Sequence, residues 1–254
     1  MQQLPDDALH IHLLQPDGYV DAASENILNL EECQQAQAFR FPRDRDLYVA
    51  AHLFLRQVLS RYAPVSPDGW QFSRNAYGKP TIANPAQGWL QFNLSHTHGL
   101  IACAVARDRA VGVDVESIRN LNNLPGLCQY AFAPVETADV LAAPSQQAQT
   151  ERFFSYWTLK EAYIKARGMG LSLPLQQFTF QHLAGRWQLH CEPALQDSDT
   201  CWQSDTLRIS QHYLAYCIQS GCSDSQLSRV WITMENSPSR VAWNSAVEIT
   251  AMSC

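Results

Sequence analysis

The stretch Val111-Gly112-Val113-Asp114-Val115-Glu116 constrains the fold more than any other, because its residues alternate with a period of two. Successive side chains of an extended backbone point to opposite faces, so Val113 and Val115 share one face and Asp114 and Glu116 the other. The aliphatic face has to be covered by the rest of the chain, and that packing anchors a displayed pair of carboxylates. Two carboxylates side by side repel. A hard divalent cation relieves the repulsion, and Mg2+ is usually held by one or a few carboxylates together with waters and substrate phosphates. The competing reading is an edge strand with two solvated acids.

A second stretch, Phe153 to Pro174, reads FFSYWTLKEAYIKARGMGLSLP and predicts a helix over Trp157 to Arg167. Gly168 and Gly170 follow it, and such residues end helices without strain and let the backbone approach a ligand. Helical spacing puts Glu161 and Lys165 on one face as an i, i+4 pair, with Lys160 about 100° round from Glu161 and Ile164 directly above Lys160. Taken alone, Glu161 and Lys165 read as a solvated surface pair. Only a partner elsewhere in the chain overturns that reading.

A chain of 254 residues with 46% hydrophobic and 17% charged residues can bury a sizeable core. Its formal charge of −6 leaves no broad basic field, which argues against nucleic acid as the main partner. The opening MQQLPDDALHIHLLQPDG has neither a basic start nor a continuous apolar run, and no segment reaches the length of a membrane span. A cytoplasmic protein with no membrane partner is expected. The eight cysteines form no CxxC pair and predict reduced, mostly buried thiols, although a Cys217–Cys222 bridge is compatible with the sequence.

Along the chain, Ala8 to Leu14 alternates histidine and aliphatic residues in the manner of a first strand. A helix capped by Asp21 or Ser24 should follow, and Pro42 suits the first turn of another that continues through Leu47 to Tyr62. Arg43, Arg45 and Arg56 make this the most basic part of the first half. The turn Arg74-Asn75-Ala76-Tyr77-Gly78-Lys79-Pro80 constrains Lys79 locally and leaves its ammonium able to point at an anion. Leu90 to Leu94 and Leu100 to Ala106 read as a hairpin whose turn region carries Ser95, His96 and His98, groups that suit a phosphate better than zinc. Leu121 to Phe132 and Val135 to Leu141 read as short helices, and APSQQAQT, from Ala143 to Thr150, as a mobile surface loop. Phe178 to Leu183, Arg186 to Cys191, Leu207 to Ser210, Tyr213 to Ile218 and Arg229 to Met234 read as successive strands, and the segment from Glu235 to Cys254 has no strong period.

FNLSH at Phe92 to His96, VGVDVE at Val111 to Glu116 and WTLKEAYIKARGMGLSLP at Trp157 to Pro174 together resemble the 4′-phosphopantetheinyl transferases, in their larger monomeric form that activates peptide, polyketide and fatty-acid synthases. FPRDRDLYVAAHLFLR and SRNAYGKP resemble the same family, so the likeness runs in order from Phe41 to Pro174. It implies an α+β fold of two pseudo-twofold-related halves with the active site in the cleft between them. The halves are expected at residues 1–110, on the nucleotide side, and 111–234, on the metal and pyrophosphate side, with a tail at 235–254.

The implied reaction moves the phosphopantetheine arm of coenzyme A to a serine of an apo carrier protein and releases adenosine 3′,5′-bisphosphate. The resemblance makes Asp114, Glu116 and Glu161 the ligands of Mg2+, with Mn2+ as a substitute. It puts Lys165, with Lys160 as a second candidate, on the pyrophosphate. Arg43, Arg74, Lys79, Ser95 and His96 fall on positions that hold the nucleotide and its 3′-phosphate, and Glu136 on an acid proposed as general base. The residue types leave Glu136, Glu161 or a water on the metal open as proton acceptor. A noncatalytic module that binds coenzyme A or the carrier is the alternative. The carrier would dock through a hydrophobic groove with local basic contacts, since the chain is itself net negative.

Overall fold

The computed structural model describes residues 1–21, 24–197, 200–220, 229–235 and 246–250, the last five as backbone alone. Helices and largely antiparallel sheets are mixed, as the α+β expectation has it, and the chain divides into two compact units. The first comprises Met1–Arg74 and Pro80–Asp108 together with the last two described strands; the second comprises Asn75–Lys79 and residues 109–220.

The first unit is built on β1 (Ala8–Leu14), every residue of which is buried. It pairs antiparallel with β5 (Leu100–Arg107) on one side and parallel with β11 (Arg229–Glu235) on the other. β4 (Leu90–Thr97) and β12 (Ala246–Thr250) complete a five-stranded sheet in the order β12-β11-β1-β5-β4. The strand Arg229–Glu235, expected among those of the second half, therefore belongs to the first sheet, and the supposedly patternless tail contributes its edge. α2 (Pro42–Leu59) begins with Pro42 in its first turn and packs Ala50, Ala51, Phe54, Leu55, Val58 and Leu59 against Phe92, Ile101, Cys103 and Val105 of the sheet.

Two expectations for this unit change. The helix before α2 is the shorter α1 (Leu30–Gln37), and its cap is neither Asp21 nor Ser24 but Asn29, which closes a capping box with Glu32. Ser24 instead opens a separate 3-10 turn, Ser24–Ile27. Arg56 lends nothing to a basic surface. It is fully buried, donates to Glu32 at 2.7 Å and spends Nη1 on the carbonyls of Pro67 and Trp70.

The second unit has a three-stranded antiparallel sheet in the order β6-β10-β9, formed by β6 (Val111–Ser117), β9 (Cys201–Ile209) and β10 (His212–Ser220). α5 (Gln146–Arg167) lies on it, packing Ala162, Tyr163 and Ile164 in one cluster with Ala215 and Cys217. α3 (Leu124–Ala131), α4 (Pro134–Leu141) and the hairpin of β7 (Phe178–Leu183) and β8 (Arg186–Cys191) pack against the same helix. α5 starts well before the expected Trp157 and takes in most of the supposed loop, because the Ser145 side chain caps it by accepting from Ala148 N. Cys103, Cys128 and Cys217 are buried free thiols, but Cys33 and Cys191 are half-buried and Cys201 is exposed, so burial is less general than expected; Cys222 lies outside the described residues.

The two histidines of β1 alternate as predicted but face the interior. His10 Nδ1 lies 2.8 Å and His12 Nε2 2.6 Å from the Tyr62 hydroxyl, while His12 Nδ1 lies 3.1 Å from Glu235 Oε1, which also accepts from Arg61 at 2.5 Å. Burial, with His12 alongside, holds His10 down to about 4 from its ordinary 6.5. The unfolded chain therefore binds a proton between those values that the fold refuses, so this contribution to stability is complete above pH 6.5 and is lost as pH falls towards 4. Between pH 7 and pH 5 the loss from His10 is about 2 kcal/mol. Urea unfolding at the two pH values should show a His10→Gln variant losing about 2 kcal/mol less than the parent protein over that interval.

Candidate active site

Gly112 decides which face of β6 meets α5. A Cβ at this position would overlap the carbonyl oxygen of Ala162 and the amide nitrogen of Ala166, so only glycine lets the helix backbone lie against the strand here. Gly112, Asp114 and Glu116 share a face, and that face is turned toward the helix rather than displayed to water. Asp114 is buried and Glu116 half-buried. Val113 and Val115, on the opposite face, are buried too, so although β6 is an edge strand of its sheet its acids are not solvated.

Strand and helix run in opposite senses, and their side chains pair accordingly. Lys165 Nζ donates to Asp114 Oδ1 at 2.6 Å, and Trp157 Nε1 donates to Glu116 Oε1 at 3.1 Å. Glu116 Oε2 accepts from Arg119 at 3.3 Å. Lys165 thus has Asp114 as its ion-pair partner in place of the Glu161 expected from helical spacing. Glu161 sits between these pairs on the same helix stripe as Trp157 and Lys165. Burial first, then the Asp114 carboxylate, with Glu116 adding, push its carboxyl up to about 7 against the pull of Lys165. Trp157 is the side chain of this arrangement that sequence reasoning passed over; its position four residues before Glu161 was the available signal.

Three acids whose charges oppose one another are gathered here, and carboxylate oxygens are the ligand type that a hard dication takes. In the present arrangement they do not converge on a single point: among the described residues no three His, Cys, Asp or Glu side chains do. Lys165 supplies the countercharge at Asp114.

Glu136 and Lys160 are placed elsewhere, and both corrections have the same cause. Lys160 is fully buried and its three donors are spent on Leu175 O, Phe178 O and Glu136 Oε2, each at 2.7 Å. Glu136 accepts in addition from the amides of Ala133 and Phe180 and is 1% exposed. Both groups are sealed from solvent, with every donor of Lys160 and both oxygens of Glu136 engaged inside the fold. Together they tie α4, α5 and β7 into one body, so Glu136 is no general base and Lys160 no pyrophosphate ligand here.

Of the nucleotide set, Arg43 is exposed in the first turn of α2, and Arg74 is exposed at the end of β2 (Phe72–Arg74), which pairs with β3 (Pro80–Ile82). Ser95 and His96 lie near the end of β4, Ser95 buried and His96 exposed. His98, in the turn beyond them, reaches Asp44 at 3.6 Å and so brings that turn to the start of α2 beside Arg43. Lys79 departs from expectation: its ammonium, far from projecting freely, donates to Val111 O at 3.1 Å and Ala166 O at 3.0 Å.

Residues 110–217 match the 4'-phosphopantetheinyl transferase superfamily, and residues 19–108 match the family described as 4'-phosphopantetheinyl transferase, N-terminal. The chain is 30% identical to a phosphopantetheinyl transferase of a Thraustochytrium species over 227 residues, 83% of this chain and 75% of that protein. It belongs to the 4′-phosphopantetheinyl transferases. Within them it is similar to the larger type, being 29% identical over 154 residues to 4'-phosphopantetheinyl transferase Sfp of Bacillus subtilis, 61% of this chain and 66% of that protein. Against 4'-phosphopantetheinyl transferase HetI of a Nostoc species it is 38% identical over 146 residues, and the match spans 57% of this chain and 61% of that protein. Among solved structures it is similar to an ACPS-CoA complex of Chronobacterium ammoniagenes, at 22% identity and a TM-score of 0.36 over 44% of this chain and 96% of the other; so partial a likeness carries no assignment.

Two substitutions probe this arrangement. Gly112→Ala should cost about 3 kcal/mol by denaturant unfolding, since backbone atoms of α5 have to give way. Glu136→Ala should cost about 3–5 kcal/mol by stranding the Lys160 ammonium, whereas the double variant Glu136→Leu, Lys160→Met should recover most of that stability. If Glu136 were the general base, the double variant would be stable and inactive; it is expected to be stable and active in a carrier-modification assay.

Proposed function

We propose that this chain transfers the 4′-phosphopantetheine arm of coenzyme A to a serine of an apo carrier protein, of acyl or peptidyl type, and releases adenosine 3′,5′-bisphosphate. The observation that carries the reading is the juxtaposition of Asp114, Glu116, Glu161 and Lys165 across the β6–α5 contact, in a chain of this family. The serine oxygen forms a bond to the phosphorus that bears the pantetheine arm, the bond from that phosphorus to the bridging oxygen breaks, and the hydroxyl proton passes to an acceptor. Charge builds on the leaving and equatorial oxygens, so positioning and electrostatics supply most of the acceleration.

In this reading Asp114, Glu116 and Glu161 would hold Mg2+, which would neutralise pyrophosphate charge and relieve the repulsion among the three acids. Lys165 exchanges its contact with Asp114 for the pyrophosphate. Trp157 and Arg119 each hold one oxygen of Glu116. Arg43, Arg74, Ser95 and His96 serve the nucleotide. Glu136 drops out of the candidate proton acceptors, because both its oxygens are taken and sealed from water. No helix among the described residues is long and apolar enough to cross a membrane. A cytoplasmic monomer is the form this reading expects.

Incubation with coenzyme A, Mg2+ and apo carrier proteins from fatty-acid, polyketide and peptide synthases should add the mass of the arm to at least one carrier, as read by intact-protein mass spectrometry. Asp114→Ala should abolish the gain and leave the circular dichroism spectrum unchanged. Tight coenzyme A binding by calorimetry with no mass gain on any carrier would instead make the protein a noncatalytic binding module.

A further inference from the structure

The turn Asn75–Lys79 belongs to the second unit although β2 and β3, which it joins, belong to the first. Its internal bonds make it rigid. Asn75 Oδ1 accepts from the amides of Tyr77 and Lys79, both at 2.9 Å, and Asn75 N donates to Lys79 O at 3.0 Å. From this frame two side chains reach the end of α5. The Asn75 amide donates to Gly168 O at 2.7 Å, and the Lys79 ammonium bridges Ala166 O, in the last turn of the helix, to Val111 O, the first residue of β6.

The last carbonyls of a helix have no partner within it and carry the negative end of its dipole, so a cation and an amide donor there are doubly favoured. The chain also leaves space for the lysine. Gly168 ends α5 with φ +64°, and a Cβ on it would lie 2.7 Å from Lys79 Cδ, so glycine is required both by the turn and by the lysine stem. Burial holds the Lys79 ammonium down to about 8, and the contacts described for it are to carbonyls, a setting whose desolvation cost makes sense if the contact does structural work.

We propose that Lys79 is a positioning residue of the transfer site: with Asn75 it clasps the last turn of α5 to the first residue of β6 and so sets where Lys165 stands against Asp114. Lys165 lies one residue before Ala166, and Asp114 three residues after Val111, so the bridge closes within one helical turn of the ion pair it aligns. The catalytic half of this inference rests on the proposed transfer reaction; the clasp itself does not.

Hydrogen exchange in the unliganded protein tests the clasp. Lys79→Met should speed exchange of the amides from Ile164 to Gly168 by about tenfold, the worth of one lost hydrogen bond, and Asn75→Ala should act on the same amides. Carrier modification tests the positioning, with coenzyme A and 3′-dephospho-coenzyme A as alternative donors. Lys79→Met should lower kcat by roughly 10- to 100-fold with both donors, with little change in KM for either. Unchanged exchange in both variants would overturn the clasp. A rise in KM confined to coenzyme A would overturn the positioning role and make Lys79 a ligand of the 3′-phosphate. If the parent protein modifies no carrier, the proposed function fails, while the exchange rates still decide the clasp.

Discussion

The close approach of β6 and α5 at Gly112 is the contact on which the site depends. Helix and sheet usually keep their backbones apart by the width of their side chains, and here one position has none. Removing that spacer moves the helix onto the strand, so that residues 114 and 116 meet residues 165 and 157 instead of solvent. The electrostatic character of the site follows from the same geometry. Acids that would be unremarkable on a wet surface are pressed together, and the consequence is a Glu161 carboxyl balanced near neutrality beside an ammonium-paired Asp114.

A site assembled from one strand and one helix requires the helix not to roll or slide. The opposite side of α5 is fixed by Lys160, whose ammonium gathers two carbonyls beyond the helix and a carboxylate of α4. Tyr163 reinforces that side, packed against Phe178 and donating to Asp197 at 2.5 Å. Adjacent lysine and glutamate in the sequence Lys160-Glu161 thus point to opposite fates, one sealed into the core and one directed to the site. A charged pair in a core rarely adds net stability over an apolar pair, and here it joins α4, α5 and β7 on the side of the helix away from Glu161 and Lys165.

Local periodicity made much of the fold legible. The alternation of Ala8 to Leu14 and Val111 to Glu116, the β4–β5 hairpin and the proline start of α2 all read directly as elements. Pairing across the chain did not, because β11 carries the same pattern as the strands before it and nothing local names β1 as its neighbour. Polarity misled at Gln146 to Thr150, where a serine cap and helix-forming residues outweigh it. In the site, helical spacing brought out the stripe of Glu161 and Lys165 and strand alternation the acids of β6, and family likeness joined the two. The burial of Lys160 had a signal that went unused: Tyr156, Tyr163 and Ile164 surround it at helical spacing, so it sits in the apolar stripe. Arg56 and Lys79 had none, since the partners that bury them lie far away in sequence.

The parallel pairing of β1 with β11 also has a meaning for how the chain is made. The bulk of the second unit is inserted in the chain between β5 and β11, the two strands that flank β1 in the first sheet, and His12 waits for a Glu235 that lies 223 residues downstream. A ribosome therefore releases β1 early and its partner late, with roughly ten seconds of elongation separating the end of β5 from the start of β11. Throughout that interval one edge of β1, a strand buried along its whole length in the finished fold, stands open as a template for other strands. The nascent first half is thus the part of this protein most in need of a chaperone, even though it is the first to leave the tunnel.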